Sequence, residues 1–325
     1  MGRTMMRRRN TALVLVGAFV SLTCARVETP GDGPTRTYEP PQVPNGSIVL
    51  AAAGDIGCPA FNSDFEGEDP SECQQHATAA LLADVDAVVV LGDLQYPDGT
   101  LESFQRGYEL SWGRYADKTY PVVGNHDYHV EGAEGYFEYW ASKDRPTGGT
   151  GAGYYSFDLG SWHLVALNSE CDAVPCEDGS SQNDFLEQDL MRTTQPCILA
   201  SWHHPLFNSG ATHGDSMPDG ARAFWEDLSA AGADVVLNGH EHNYQRYGKQ
   251  DASGQATPSG IRQFVVGTGG RGLYDVLEDK DPNYETGHGS DFGVLKLHLG
   301  DGEYSWEFVA IDGTLLDAGG PVPCN

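Results

Sequence analysis

Five short segments carry residue types that bind metal ions: Gly54-Asp55, Gly92-Asp93-Leu94-Gln95-Tyr96, Gly124-Asn125-His126, His203-His204-Pro205 and Gly239-His240-Glu241-His242. Taken singly, each is a weak signal. An Asp or Asn beside glycine is also what a turn or a cap requires. Together they offer carboxylate, phenol and amide oxygens with imidazole nitrogens, a donor set for hard and borderline cations. Five such segments in order are more than turn chemistry explains.

Each segment follows a short apolar run: Ile48–Ala53, Ala87–Leu91, Tyr120–Val123, Ile198–Trp202 and Asp234–Leu237. These β-branched runs alternate with helical patterns, which indicates a layered α/β fold. Further strands are expected at 154–158, 162–168, 261–266, 292–299 and 304–311, and helices near 101–114, 133–141, 181–192 and 219–231. A helix between the first two strands is predicted to start at the capping box Ser71-x-x-Gln74. Open α/β sheets place active sites just past the carboxyl ends of their strands, where the five segments fall. Glycine lets the backbone turn sharply there.

With those motifs in place, the sequence resembles the calcineurin-like metallophosphoesterases over roughly 47–243, with a weaker echo in Val266-Gly267-Thr268-Gly269-Gly270. Most of that family carries Asp-x-His in the first motif, whereas this chain has Asp55-Ile56-Gly57. The purple acid phosphatases replace the missing histidine with a tyrosine three residues after the second-motif Asp, and Tyr96 stands there. The resemblance implies two mixed β-sheets packed together and flanked by helices. It implies one metal held by Asp55, Tyr96 and His242, a second held by Asn125, His203 and His240, and Asp93 bridging both. Phenolate and carboxylate suit Fe(III), while imidazole and amide oxygen suit a divalent ion such as Zn, Fe or Mn. The implied reaction is hydrolysis of phosphate monoesters by a metal-bound hydroxide, with the two ions about 3.5–4 Å apart. His126 matches the family's phosphate-contacting histidine and His213 a substrate-site histidine able to protonate the leaving alkoxide.

Other histidines have plainer expectations. His204 should face away from its ligand neighbour. His129 matches no family position, and His76, His163, His288 and His298 are expected at the surface or in packing. Asp127 and Asn243 either support the ligands from behind or cap loops. Two departures bear on substrate preference and architecture: Thr212 stands where a second histidine is often found, and the stretch between the leader and Ile48 is expected to be too short for the β-sandwich of plant-type members.

Residues 1–25, with Arg3, Arg7, Arg8 and Arg9 ahead of the apolar run 12–22, read as a signal peptide. Cys24 is a candidate lipid anchor, so the protein is expected to be secreted, periplasmic or tethered at the cell surface. Residues 26–46 read as a Pro/Gly-rich tether, and 47–325 as a single catalytic domain. The chain carries 19 basic and 47 acidic residues. Four of the basic ones lie in the leader, so the remainder is more acidic still and would repel nucleic-acid backbones. The acidic cluster Asp64, Glu66, Glu68, Asp69 and Glu72 lacks regular ligand spacing and reads as a solvated loop rather than a calcium site. Past Cys24 an even set of cysteines points to disulfides, and sequence order favours Cys58–Cys73, Cys171–Cys176 and Cys197–Cys324. Two alternatives remain at this point: a phosphodiesterase acting on nucleotides or lipid headgroups, and a non-catalytic metal-binding surface protein.

Overall fold

The computed structural model describes residues 1–2, 38–213, 218 and 221–325. The leader, Cys24 and most of the tether lie outside the described residues. In chain order the strands and helices are β1 (Ile48–Ala53), α1 (Gln75–Ala80), β2 (Ala87–Leu91), α2 (Leu101–Arg106), β3 (Thr119–Val122), α3 (Glu134–Ser142), β4 (Tyr155–Leu159), β5 (Trp162–Ala166), α4 (Ser181–Leu190), β6 (Cys197–Ser201), α5 (Arg222–Ala230), β7 (Val235–Asn238), β8 (Tyr244–Tyr247), β9 (Arg262–Val266), β10 (Tyr284–His288), β11 (Gly293–Leu299), β12 (Glu303–Ala310) and β13 (Leu315–Pro323).

They form two mixed sheets, ordered β13-β12-β11-β1-β2-β3 and β10-β8-β9-β7-β6-β5-β4. The centre of each is parallel: β1, β2 and β3 in the first, β5, β6, β7 and β9 in the second. Parallel strands are covered on both faces, and the alternation of side chains shows how. In the second sheet Leu164, Leu199, Val235 and Leu237 join the core that β1 and β2 also enter. The intervening Val165, Ile198, Ala200 and Val236 face a second core built on Phe224, Trp225 and Leu228 of α5.

Three disulfides form, in the pairing that sequence order favours: Cys58–Cys73, Cys171–Cys176 and Cys197–Cys324. No helix among the described residues is long and apolar enough to cross a membrane.

The structure corrects several boundaries. The capping box does not form: α1 starts at Gln75, and its N-terminus makes no side-chain cap. The Ser71 hydroxyl donates to Asp69 instead, and the Gln74 amide donates to the carbonyls of Gly67, Asp69 and Glu72. The helix expected over 101–114 ends at Arg106, where Gly107 breaks it, and continues only as tight turns. Strands β8, β10 and β13 were not foreseen. Their polar or Gly/Pro-rich sequences are held in strand form by pairing with neighbours.

Candidate metal centre

The carboxyl ends of β1, β2 and β3 meet those of β6 and β7, and Gly54 N–H donates to Val266 O across the sheets (2.8 Å). The turns there are tight. Asp55, Asp93 and His240 all have left-handed backbones, with φ of 60°, 51° and 70°. Such conformations are unfavourable for non-glycine residues and cluster at functional sites. Gly92 has φ +84°, and a Cβ there would collide with the His203 ring. A Cβ on Gly239 would sit 2.6 Å from Leu91 O, so the strand ends approach as closely as they do because both residues lack one.

Two groups of donors converge in this crevice. In the first, Tyr96 Oη lies 3.0 Å from Asp55 Oδ1, from Asp93 Oδ2 and from His242 Nε2. In the second, Asn125 Oδ1 lies 3.1 Å from both His203 Nε2 and His240 Nδ1, which are 3.3 Å apart. Asp93 Oδ2 belongs to both groups, since it is also 3.4 Å from His203 Nε2. Each carboxylate spends its other oxygen on the backbone. Asp55 Oδ2 accepts from His240 N–H (2.9 Å) and Asp93 Oδ1 from His126 N–H (2.8 Å). Two histidines are oriented from behind: Nδ1 of His203 donates to Leu91 O and Nδ1 of His242 to Gly272 O, both at 2.7 Å. That fixes the tautomer and leaves each Nε2 lone pair facing inward, as a ligating histidine requires.

The electrostatics say what this arrangement wants. Burial works against charge on Asp93, yet His203 and His126 hold its carboxyl well below the usual range. Burial likewise opposes a proton on His203, but Asp93 raises it to about 10. The Tyr96 phenol is pushed well above 10 by burial and by Asp55 and Asp93. His240 is pushed down by burial and by its neighbours His203, His204 and His213. Buried acceptors facing acceptors at these distances demand positive charge between them, either as protons or as cations. Two carboxylates, a phenol, an amide oxygen and three imidazoles fit cations well.

His126 and His213 flank this set. The His126 ring tilts over Tyr96 with centroids 4.2 Å apart, and its Nδ1 donates to Pro97 O (2.8 Å). His129 shares that carbonyl at 3.0 Å. The His213 ring packs on His240 with centroids 4.1 Å apart, and its Nδ1 meets Glu241 Oε2 at 3.1 Å. Although burial disfavours its charge, donors from His213, Thr212 and Asn208 hold the Glu241 carboxyl below its usual range. His204 bonds Ser169 Oγ at 2.9 Å, and its ring packs beside His240. Asp127 accepts Gly124 N–H at 2.9 Å, so it caps the turn carrying Asn125. Asn243 Oδ1 accepts from Gln245 at 2.8 Å. Of the remaining histidines, His76 and His298 approach Glu66 and Glu307, and His288 donates to Leu316 O. His163 is buried between two carboxylates.

Sequence reasoning missed Glu241, Tyr274 and the carbonyls of Leu91 and Gly272. Tyr274 stacks on His242 with rings 4.2 Å apart and nearly parallel. A carboxylate between two ligand-type histidines was a usable signal for Glu241. Backbone carbonyls carry no residue-type signal at all.

Residues 48–244 match the calcineurin-like phosphoesterase family model. The chain is 27% identical to purple acid phosphatase 22 of Arabidopsis thaliana, over 90% of this chain and 67% of that one. It is 25% identical to phosphoenolpyruvate phosphatase of Allium cepa, over 81% of this chain and 57% of that one. Against other plant purple acid phosphatases it spans 35% and 60% of their length. Among solved structures, purple acid phosphatase PPD1 from yellow lupin (Lupinus luteus) shares the fold, with a TM-score of 0.69 at 19% identity, covering 87% of this chain and 55% of that one. With its motifs at the ends of the strands that this fold brings together, the chain belongs to the calcineurin-like phosphoesterase family, within which it is similar to plant purple acid phosphatases.

Proposed function

We propose that the protein is an exported phosphatase with a two-metal centre that hydrolyses phosphate monoesters. The observation that carries this reading is the placement of Asp93 Oδ2 between the two donor groups, 3.0 Å from Tyr96 Oη and 3.4 Å from His203 Nε2. Asp55, Tyr96 and His242 would hold one ion and Asn125, His203 and His240 the other, with Asp93 common to both. Bound there, Fe(III) and a divalent ion would supply a nucleophilic hydroxide at mild pH and neutralise phosphate charge.

The chain's own residues do the rest. His126, whose Nδ1–H is held by Pro97 O, can in its imidazolium form donate from Nε2 to a phosphate oxygen. As the imidazolium, with its Nδ1–H held by Glu241, His213 gives its Nε2 proton to the leaving oxygen and is left as the neutral ring. The buried walls of the crevice keep bulk water from competing with these contacts. Export is supported by the basic-then-apolar leader and by three disulfides, which persist in oxidising compartments.

The test is metal analysis of the purified protein together with phosphate release from an aryl phosphate and a bis-aryl phosphate. Two ions per chain and faster turnover of the monoester are expected. Faster turnover of the diester would turn the assignment to a phosphodiesterase, and bound metal without any phosphate release would leave a binding protein. His213→Ala should depress turnover of alkyl phosphates about 10²-fold, because an alkoxide needs a proton as it departs. Aryl phosphates with acidic leaving groups should suffer much less.

A further inference from the structure

Glu241 sits between His240 and His242 in sequence, yet it joins neither donor group. It is fully buried, and a buried carboxylate must be supplied with donors. Among the described residues, every hydrogen bond to its carboxylate comes from one segment, 208–213. Oε1 accepts Thr212 N–H at 3.1 Å. Oε2 accepts from the Asn208 amide at 3.2 Å, from His213 N–H at 3.0 Å and from His213 Nδ1 at 3.1 Å. Gly210 lies against the same side chain so closely that a Cβ would run into it. The segment is therefore folded around this carboxylate, and the His213 ring that results packs over His240.

We propose that Glu241 is the positioning residue for His213, anchoring the 208–213 segment and holding the ring by Nδ1 so that Nε2 is the nitrogen turned to substrate. A carboxylate that accepts from one imidazole nitrogen fixes the ring's orientation and leaves the other nitrogen for substrate, and residues in this role usually matter by 10–100-fold. The proposal rests on the phosphatase reading for its kinetic consequence, though not for its geometry. Nothing else on the segment could take the role, because Thr212 and Asn208 serve as donors to the same two oxygens.

Glu241→Gln keeps the shape but replaces one acceptor with a donor, which must then face Thr212 N–H or the His213 donors. In the full-length, metal-loaded protein, kcat for glycerol phosphate is expected to fall about 10–100-fold. KM should stay within about twofold, the pattern of an interaction made in the transition state. The loss on 4-nitrophenyl phosphate should be smaller, and metal content should be unchanged. In a His213→Ala background, Glu241→Gln should change kcat less than about twofold further, because residues acting as one unit are not additive. Equal losses on both substrates, full additivity with His213→Ala, or loss of metal in Glu241→Gln would each overturn the proposal.

Amide hydrogen exchange separates this outcome from failure of the functional reading. The N–H groups of Thr212 and His213 should be protected in the wild type and should exchange faster in Glu241→Gln. If the wild type releases no phosphate from any ester, the phosphatase reading fails and exchange alone decides the anchor. Unprotected amides at Thr212 and His213 in the wild type would sink it.

Discussion

Two of the places where this molecule sets histidine against carboxylate differ in whether the hydrogen bonding is complete. In the crevice, Asp55, Asp93, Tyr96, Asn125, His203, His240 and His242 aim lone pairs at one another from 3.0 to 3.4 Å. At the β4–β5 edge, His163 meets Asp158 through Nδ1 and Asp189 through Nε2, both at 2.8 Å. An imidazolium with a carboxylate on each nitrogen is satisfied. The crevice set is held from outside by the carbonyls of Leu91 and Gly272 but has a surplus of acceptors inside. Completeness, rather than residue composition, separates a structural cluster from one built for a ligand.

The severest way to break this comparison is Asp93→Ala. It removes the oxygen that both donor groups share and also the acceptor of His126 N–H. Activity should fall more than about 100-fold, beyond what residues behind a ligand set usually cost, and metal content should drop further than in Asp55→Ala or Asn125→Ala. Adding metal should raise the melting temperature of the wild type, since a ligand held only by the native state stabilises it. The same addition should leave Asp93→Ala nearly unmoved. Retained metal and turnover in that variant would show that the two groups do not depend on a common oxygen.

Tyr96→Phe is gentler and sharper. The ring keeps its packing against His126, while one oxygen with three close neighbours is lost. If Fe(III) occupies the first group, phenolate-to-iron charge transfer should give the wild type a visible band that this variant lacks. The fold should survive, with a stability change of about 1–3 kcal/mol from the altered buried hydrogen bonding. A wild type containing stoichiometric Fe(III) but no such band would place the phenol outside the metal's reach.

The sequence carried the parallel strands because they are buried on both faces and read as continuous β-branched runs, such as Ala87–Leu91. It carried the donor residues because glycine-flanked Asp, Asn and His at strand ends are visible as residue types. It did not carry β8 or β13. Tyr244-Gln245-Arg246-Tyr247 is wholly buried although polar, because Arg246 pairs with Asp317 and Tyr244 donates to the same carboxylate. Leu315–Pro323 reads as turn material, and only its ladder with β12 makes it a strand. The capping box at Ser71 failed for a related reason. A disulfide between Cys58 and Cys73 and the Arg271–Glu72 ion pair shape that loop, so a local signal lost to non-local constraints.

The smallest expected effect tests the completed cluster. Burial disfavours a charged His163, but hydrogen bonds to Asp189 and Asp158 outweigh it and raise its proton affinity above the ordinary value. Asp158 is shifted the opposite way, chiefly by its bond to His163. A group whose pKa is raised on folding contributes fully below its unfolded value, about 6.5 for histidine, and loses that contribution as pH climbs through the raised value. A depressed carboxylate contributes fully above its unfolded value, about 3.9, and loses it as pH falls. The clamp should therefore be strongest between about pH 4 and 6.5 and should fade on the alkaline side. Asp158 is more than half exposed (55%), so solvent screening keeps the whole effect near 1 kcal/mol, or roughly 2–4 °C in a domain of this size. Unfolding of wild type and His163→Gln measured from pH 5 to 9 should show a gap that narrows as pH rises. A gap that stays constant would mean that His163 serves by packing alone, and that its two carboxylates do not complete it as the structure suggests.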